Sequence, residues 1–300
     1  MRMISLKQLT YALAVQETLH FKNAAERCFV SQSTLSSAIS ELETQLGVQL
    51  FERDNKKVLV TAFGEQILAR AQDVLTQVRD IEQLAKSHLT PLSQPMTLGV
   101  IPTIGPYLLP KVLPPLRVQY PNFELGIIEE QSAELVRQVK SGQLDTAILA
   151  LPYDLDGLLA FEFWQEDFYA VAHRDTPVAG LNSINNSDLV DTSLLLLKEG
   201  HCLTDHALSV CQMPRPQRSK GLAGTSLFTL IQMVAGKMGT TLIPEMALES
   251  VLASNPELKA MHLDEPGPHR RIAFIVRPNF AGVANIEIIK KLFQAALKER

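Results

Sequence analysis

Cysteine is scarce in this chain: 300 residues hold three, at positions 28, 202 and 211. So small a set does not staple a secreted scaffold, and no disulfide framework is expected. Long apolar runs are missing too. No stretch of about 18 uncharged apolar residues occurs, the least that reads as a membrane-spanning helix. The amino end, MRMISLKQLTYALAVQETL, breaks its apolar positions with Lys7, Gln8 and Glu17 and lacks a small-residue cleavage site, so it does not read as a signal peptide. The expected compartment is the cytoplasm, with no membrane partner. Excess positive charge is also absent. The formal net charge is −4, and residues 1–90 balance ten Lys/Arg against ten Asp/Glu. Any contact with nucleic acid must come from local arrangement of charge, not bulk attraction. What remains is a 46% hydrophobic, 20% charged composition, ordinary for a globular protein of two or three domains.

Residues 1–62 read as short helices followed by a ribbon. SLKQLTYALAVQETL carries Leu6, Leu9, Leu13 and Ala14 at helical spacing, with Ser5 placed to cap it. KNAAERCF is a second short helix, with Cys28 expected to face its core. In VSQSTLSSAISELETQLG, Ser31 is the expected N-cap, Leu35, Ile39, Leu42 and Leu46 the buried face, and Gly47 the stop. VQLFERDNKKVLVT reads as a hairpin turning at DNKK. Helix, helix, turn, helix and ribbon make a winged helix-turn-helix. Its third helix would offer Gln32, Ser33, Thr34, Ser36, Ser37 and Ser40 to base edges and phosphates of a double-stranded operator, and Arg53, Lys56 and Lys57 would meet phosphates. A small helical domain with a solvated, Ser-rich face accounts for the pattern equally well.

Residues 63–90 form one helical run, in which Ile67, Ala71, Val74, Val78, Ile81 and Ala85 alternate steps of four and three. That is an a/d seam, and such a helix reaches about 40 Å at about 1.5 Å per residue. A dimerisation rod is expected. LTPLSQP then reads as a linker, and residues 91–300 change to alternating strands and helices, which predict parallel α/β sheet in two lobes with a ligand cleft between them. Lobe I is expected over about 95–166 and 268–300, and lobe II over about 167–267.

Two of the three cysteines fall in GHCLTDHALSVC, residues 200–211, beside His201 and His206. Three readings are open. The thiols could be inert packing, the default for a single cysteine. They could ligate a metal, although H-C-x3-H-x4-C matches no common zinc spacing. Or they could be a reactive pair.

The whole chain resembles the LysR-type transcriptional regulators. The match is carried by LKQLTYALAVQETLHFKNAAERCFVSQSTLSSAISELETQLGVQLFER, with its AA pair, SQSTLS, LE pair, LG and LFER. The resemblance implies a multidomain α/β chain: winged helix-turn-helix, linker helix, and a two-lobed effector domain like the periplasmic binding proteins. It implies a non-enzymatic DNA-binding regulator that assembles as a dimer or homotetramer and works with RNA polymerase. VIPTIGPYLLP, LDTAILAL and LLLLKEGHCLTDHALSVC are similar to the OxyR branch, which senses hydrogen peroxide. On that resemblance Cys202 is the thiol that peroxide oxidises and Cys211 the one that resolves it, later reduced by a glutaredoxin- or thioredoxin-type partner. Thr103, Ser132 and His201 would surround the peroxide, and Arg271 would lie near the thiol. No cofactor is implied. Two departures stand out: Thr204 where arginine is frequent in this branch, and Ser132 where threonine is common.

The chemistry fits a position of Cys202 at the start of a helix, where the dipole favours a thiolate. Asp205 would oppose that charge, so a compensating cation is needed, with Arg271 the candidate. A continuous helix over 202–211 would hold the two Cα atoms about 13.5 Å apart, against roughly 4.4–6.8 Å in a disulfide. Two other functions share the sequence: a LysR-type regulator of a small organic effector with incidental cysteines, and a thiol peroxidase, for which a helix-turn-helix and a dimer rod have no use.

Overall fold

The computed structural model describes residues 3–54, 57–87, 91–190, 192–198, 200–212, 223–224 and 226–298. The chain divides into two compact units, residues 1–85 and 86–300.

The amino-terminal unit starts with α1 (Leu6–Thr18), closed by a capping box in which Ser5 and Gln8 satisfy each other's backbone N–H. After α2 (Phe21–Arg27), Cys28 is not within the helix but caps its end, half-buried. Ser31 accepts the Thr34 N–H to start α3 (Gln32–Leu46), and Gly47 ends it at φ 72°. Leu35, Ile39 and Leu42 are buried against Ala12, Val15 and Ala24; Leu46 is only half-buried. The Glu43 carboxylate accepts from the N–H groups of Leu50 and Phe51, tying the end of α3 to the ribbon. That ribbon is β1 (Phe51–Asp54) paired antiparallel with β2 (Lys57–Val60). Lys56 lies outside the described residues, as do the side chains of Arg53 and Lys57.

Helix α4 (Ala62–Ser87) follows. Its first turns complete the same core: Leu68 and Ala71 are buried there and Ile67 and Leu75 pack against it. The expected seam is therefore divided. Ile67 and Ala71 serve their own unit, packed into the core that also holds Leu35, Ile39, Leu42 and Phe51. Val74 and Ile81 stay 42% and 67% exposed, with Val78 half-buried between them.

The second unit opens with β3 (Met96–Val100), α5 (Gly105–Gln119), β4 (Leu125–Glu129), α6 (Ser132–Lys140), β5 (Thr146–Leu151) and β6 (Leu159–Glu166). It crosses to β7 (Phe168–His173), β8 (Ser183–Ile184), α7 (Asn186–Val190), β9 (Leu196–Leu197), α8 (Cys202–Val210), β10 (Ala223–Gly224), α9 (Leu227–Ala235), β11 (Thr241–Pro244), α10 (Leu248–Ser254) and β12 (Leu258–Leu263). It returns as β13 (Arg270–Val276) and ends with α11 (Val283–Lys298). One sheet runs β4-β3-β5-β13-β6, the other β11-β7-β12-β8. Every residue of β5 is buried, as a strand covered on both faces requires.

The expectation of parallel sheet needs correction. The second sheet is mostly antiparallel, with β7 pairing both β11 and β12 in that sense. A return strand and a crossover strand have the same composition, so alternation with helices did not separate them. In the first sheet, too, β13 runs antiparallel to both β5 and β6.

Ile39 is wholly buried in the first unit. Replacing it with alanine should cost about 2–5 kcal/mol. Hydrogen exchange by mass spectrometry should show α1–α3 losing protection while β5 and β13 keep theirs; equal loss in both units would contradict the division.

Candidate functional site: a thiol at the head of a buried helix

The site is built where β13 begins. Side chains alternate along a strand, so Arg270 and Arg271 point to opposite faces. Arg270 points inward. Its Nε donates to Glu166 Oε1 at 2.7 Å, and both side chains are wholly buried. Its Nη atoms reach Thr103 Oγ1 at 3.4 Å and the Thr103 carbonyl at 3.2 Å. The other Glu166 oxygen accepts the Met246 N–H at 2.8 Å. Arg271 points outward into a half-exposed pair with Glu162. The cation beside the thiol is therefore Arg270, not Arg271. Adjacent arginines look alike in sequence, and only the pairing of Arg270 with Glu166 across β13 and β6 selects the inner one.

Cys202 is the first residue of α8, and His201 is its N-cap. Gly200 leads into it at φ +98°, and a Cβ there would lie 2.4 Å from Gln131 Oε1. The left-handed backbone there requires glycine, and the end of the Gln131 side chain rests against it. Gln131 is the N-cap of α6, so the starts of α6 and α8 meet. The first residue of α6 is Ser132, whose Oγ is buried with no hydrogen-bond partner among the described residues. It lies close enough to the Cys202 sulfur to act on its pKa. Thr103, Ser132, His201 and Cys202 are all buried, while Asp205 is exposed.

The electrostatics depart from the helix-dipole expectation. Burial pushes the Cys202 thiol above its ordinary pKa. Ser132, the Arg270 guanidinium and the Ala150 amide pull the other way, and Asp205 adds to the rise. The net direction is upward because desolvation penalises the thiolate more than these groups favour it. Cys211, which caps the far end of α8, is pushed up to about 11 by burial and by Glu265. Both cysteines are free thiols. Cys202 belongs to the core beneath the first sheet, Cys211 to the core beneath the second.

In the amino-terminal unit, Gln32, Ser33, Thr34 and Ser37 are exposed and Ser36 half-exposed along α3. Ser33 and Thr34 are drawn into the cap, each hydroxyl within 2.9 Å of Ser31 Oγ. Phe29, just before α3, is 96% exposed at φ 55°.

Residues 6–65 match the family model described as bacterial regulatory helix-turn-helix protein, lysR family, and residues 90–296 match the LysR substrate binding domain. The chain belongs to the LysR family. It is 39% identical to the HTH-type transcriptional regulator EstR of Acinetobacter baylyi, over 95% of this chain and 94% of that one. It is 36% identical to a hydrogen peroxide-inducible genes activator of Dickeya chrysanthemi, over 92% and 90%. The full-length OxyR of Pseudomonas aeruginosa, solved with a cysteine-to-aspartate substitution, superposes with a TM-score of 0.82 at 35% identity, covering 98% of this chain and 96% of that one.

Within this LysR-family site, Thr204 braces the helix. Its hydroxyl donates to the Leu197 carbonyl at 3.0 Å, pinning the first turn of α8 to β9. Sequence reasoning missed Arg270, Glu166 and Gln131. The clue for the first two was a charged residue at the end of each of two apolar strands, an arrangement that needs an opposite charge when buried.

Arg270→Gln leaves Glu166 unpaired in the core and should cost about 3–5 kcal/mol. Arg271→Gln breaks an exposed pair and should cost about 1 kcal/mol or less. Denaturant unfolding of the two variants checks this, and equal losses would contradict the inward placement of Arg270.

Proposed function

We propose that the chain is a peroxide-responsive transcriptional activator of antioxidant genes, switched by oxidation of Cys202 and closure of a Cys202–Cys211 disulfide. One observation carries the reading: the two thiols stand at opposite ends of one helix, and each is buried in a different core. Peroxide takes the Cys202 sulfur to sulfenic acid as its O–O bond breaks, releasing water once the thiol proton is counted. The Cys211 thiol then displaces the sulfenic hydroxyl, forming the S–S bond and a second water. The rise of a helix keeps the two sulfurs apart, so α8 must unwind or repack and one thiol must leave its core. Covalent chemistry thus biases a two-state element.

Thr103, Ser132 and His201 orient the peroxide, with Arg270 supplying the positive charge. In the cytoplasm, paired chains hold two copies of α3 on successive half-sites of operator DNA. Gln32, Ser33, Thr34, Ser36 and Ser37 face the groove and Arg53 and Lys56 the phosphates. Val74, Val78 and Ile81 form the apolar contact of a dimer that doubles into a homotetramer. RNA polymerase reads the rearranged assembly, and a glutaredoxin- or thioredoxin-type dithiol resets it. Similarity to a relative named for peroxide induction and to an OxyR structure supports this.

A second reading is favoured by the 39% identity to EstR, whose name carries no peroxide: a small organic effector in the cleft, with the cysteines incidental. Cys202→Ser separates the two. The peroxide reading expects the variant's operator footprint to stay the same with and without peroxide while the wild-type footprint shifts. A footprint that still shifts in Cys202→Ser favours the effector reading.

A further inference from the structure

His206 is the feature of GHCLTDHALSVC that the switch leaves unused. It is 4% exposed. Its Nε2 lies 2.8 Å from the Pro152 carbonyl. A carbonyl only accepts, so Nε2 holds the ring proton and Nδ1 presents a bare lone pair. That Nδ1 is buried with no hydrogen-bond partner among the described residues. A buried acceptor left unsatisfied costs about 1–3 kcal/mol, and a cost kept in a core points to a use.

Three relations join this acceptor to Cys202. The two residues are four apart on α8, hence on one face, with Cβ atoms about 5–6 Å apart. Helical side chains lean toward the N-terminus, so His206 leans toward the turn that holds Cys202. Both also meet one short segment: the Ala150 amide acts on the sulfur, and the Pro152 carbonyl holds the imidazole.

We propose that His206 is the proton acceptor for the Cys202 thiol. Its Nδ1 takes the S–H proton as the sulfur attacks the nearer peroxide oxygen. The O–O bond breaks, the sulfur is oxidised to sulfenic acid, and the departing hydroxide collects the proton from Nδ1 as water. The inference rests on the reading of Cys202 as the peroxide-reactive thiol. It also answers a difficulty of that reading: burial holds the thiol protonated, so a free thiolate is scarce, and a base inside the core removes the need for one. Burial, with Arg270 acting in the same direction, lowers the His206 pKa below the ordinary imidazole value, so its lone pair stays available at neutral pH. The groups facing this pair are Arg270 from β13, Ser132 from α6, Tyr153 after β5, and His201 and Asp205 on α8 and its cap. Hydrogen bonds of a resting site are often long and tighten only once the reactant is bound.

The test uses the reduced full-length chain, hydrogen peroxide, and site-resolved mass spectrometry from pH 5 to 9. Wild-type Cys202 should oxidise at a rate that falls only at the acid end and is level between pH 7 and 8. His206→Gln can still donate to Pro152 but offers no base. Its rate at pH 7 should drop about 100-fold and climb about tenfold per pH unit, as a thiol awaiting its own ionisation does. A His206→Gln variant with the wild-type rate and profile would overturn the proposal. Alkylation of Cys211 in the same digests reports whether the variant keeps its fold. If it does not, the wild-type profile decides alone: level supports the proposal, tenfold per unit overturns it. Iodoacetamide in place of peroxide gives the same comparison at Cys202, so the base can be judged even if the peroxide reading fails.

Discussion

The pitch of a single helix governs this molecule. Nine residue steps separate Cys202 and Cys211 at opposite ends of α8, which holds their Cα atoms about 13.5 Å apart at about 1.5 Å per residue. No rotamer closes that gap to a disulfide. The two ends also belong to different cores, so moving either cysteine removes packing from one lobe. A resting state that separates two thiols by helical geometry, and a bonded state that the geometry forbids, are the two positions of a switch.

The surroundings of Cys202 follow from that placement. A residue that starts a helix inside a core meets other chain ends there: the start of α6 at Gln131 and Ser132, the turn at Gly200, and the loop at Thr103. Arg270 is the charge this enclosure holds, and Glu166 holds Arg270. Glu166 also binds the Met246 backbone in the second half of the unit. The cation near the thiol and the backbone just after β11 are thus held by one carboxylate. Burial holds the thiol protonated and the histidine neutral. Such a pair reacts through proton transfer between neighbours, not through a standing thiolate.

Local features were legible in the sequence. Ser31, Gly47 and the buried face of α3 follow from bonds within one turn of helix, so spacing alone located them. The resemblance to the OxyR branch drew attention to Cys202, Cys211, Thr103, Ser132 and His201, but pointed to Arg271 where the buried cation is Arg270. Nonlocal features were not legible. Arg270 and Arg271 differ only in which face of β13 they occupy, and pairing with strands far away in sequence decides that. Ile67 and Ala71 fit a heptad seam as well as they fit their own core, because both ask for apolar residues three and four apart. The antiparallel second sheet depends on strand order, which periodicity does not encode. The rise in the Cys202 pKa is also nonlocal: the helix terminus was visible in the sequence, but the depth of burial around it was not.

Peptide mapping by mass spectrometry, on full-length chain treated with one equivalent of peroxide, tests the central claim most directly. The peptides bearing Cys202 and Cys211 should join with the loss of two hydrogens, Cys28 should remain a free thiol, and the amides of α8 should lose their protection from exchange. A chain that keeps both thiols reduced, or that joins them while α8 stays fully protected, would contradict it.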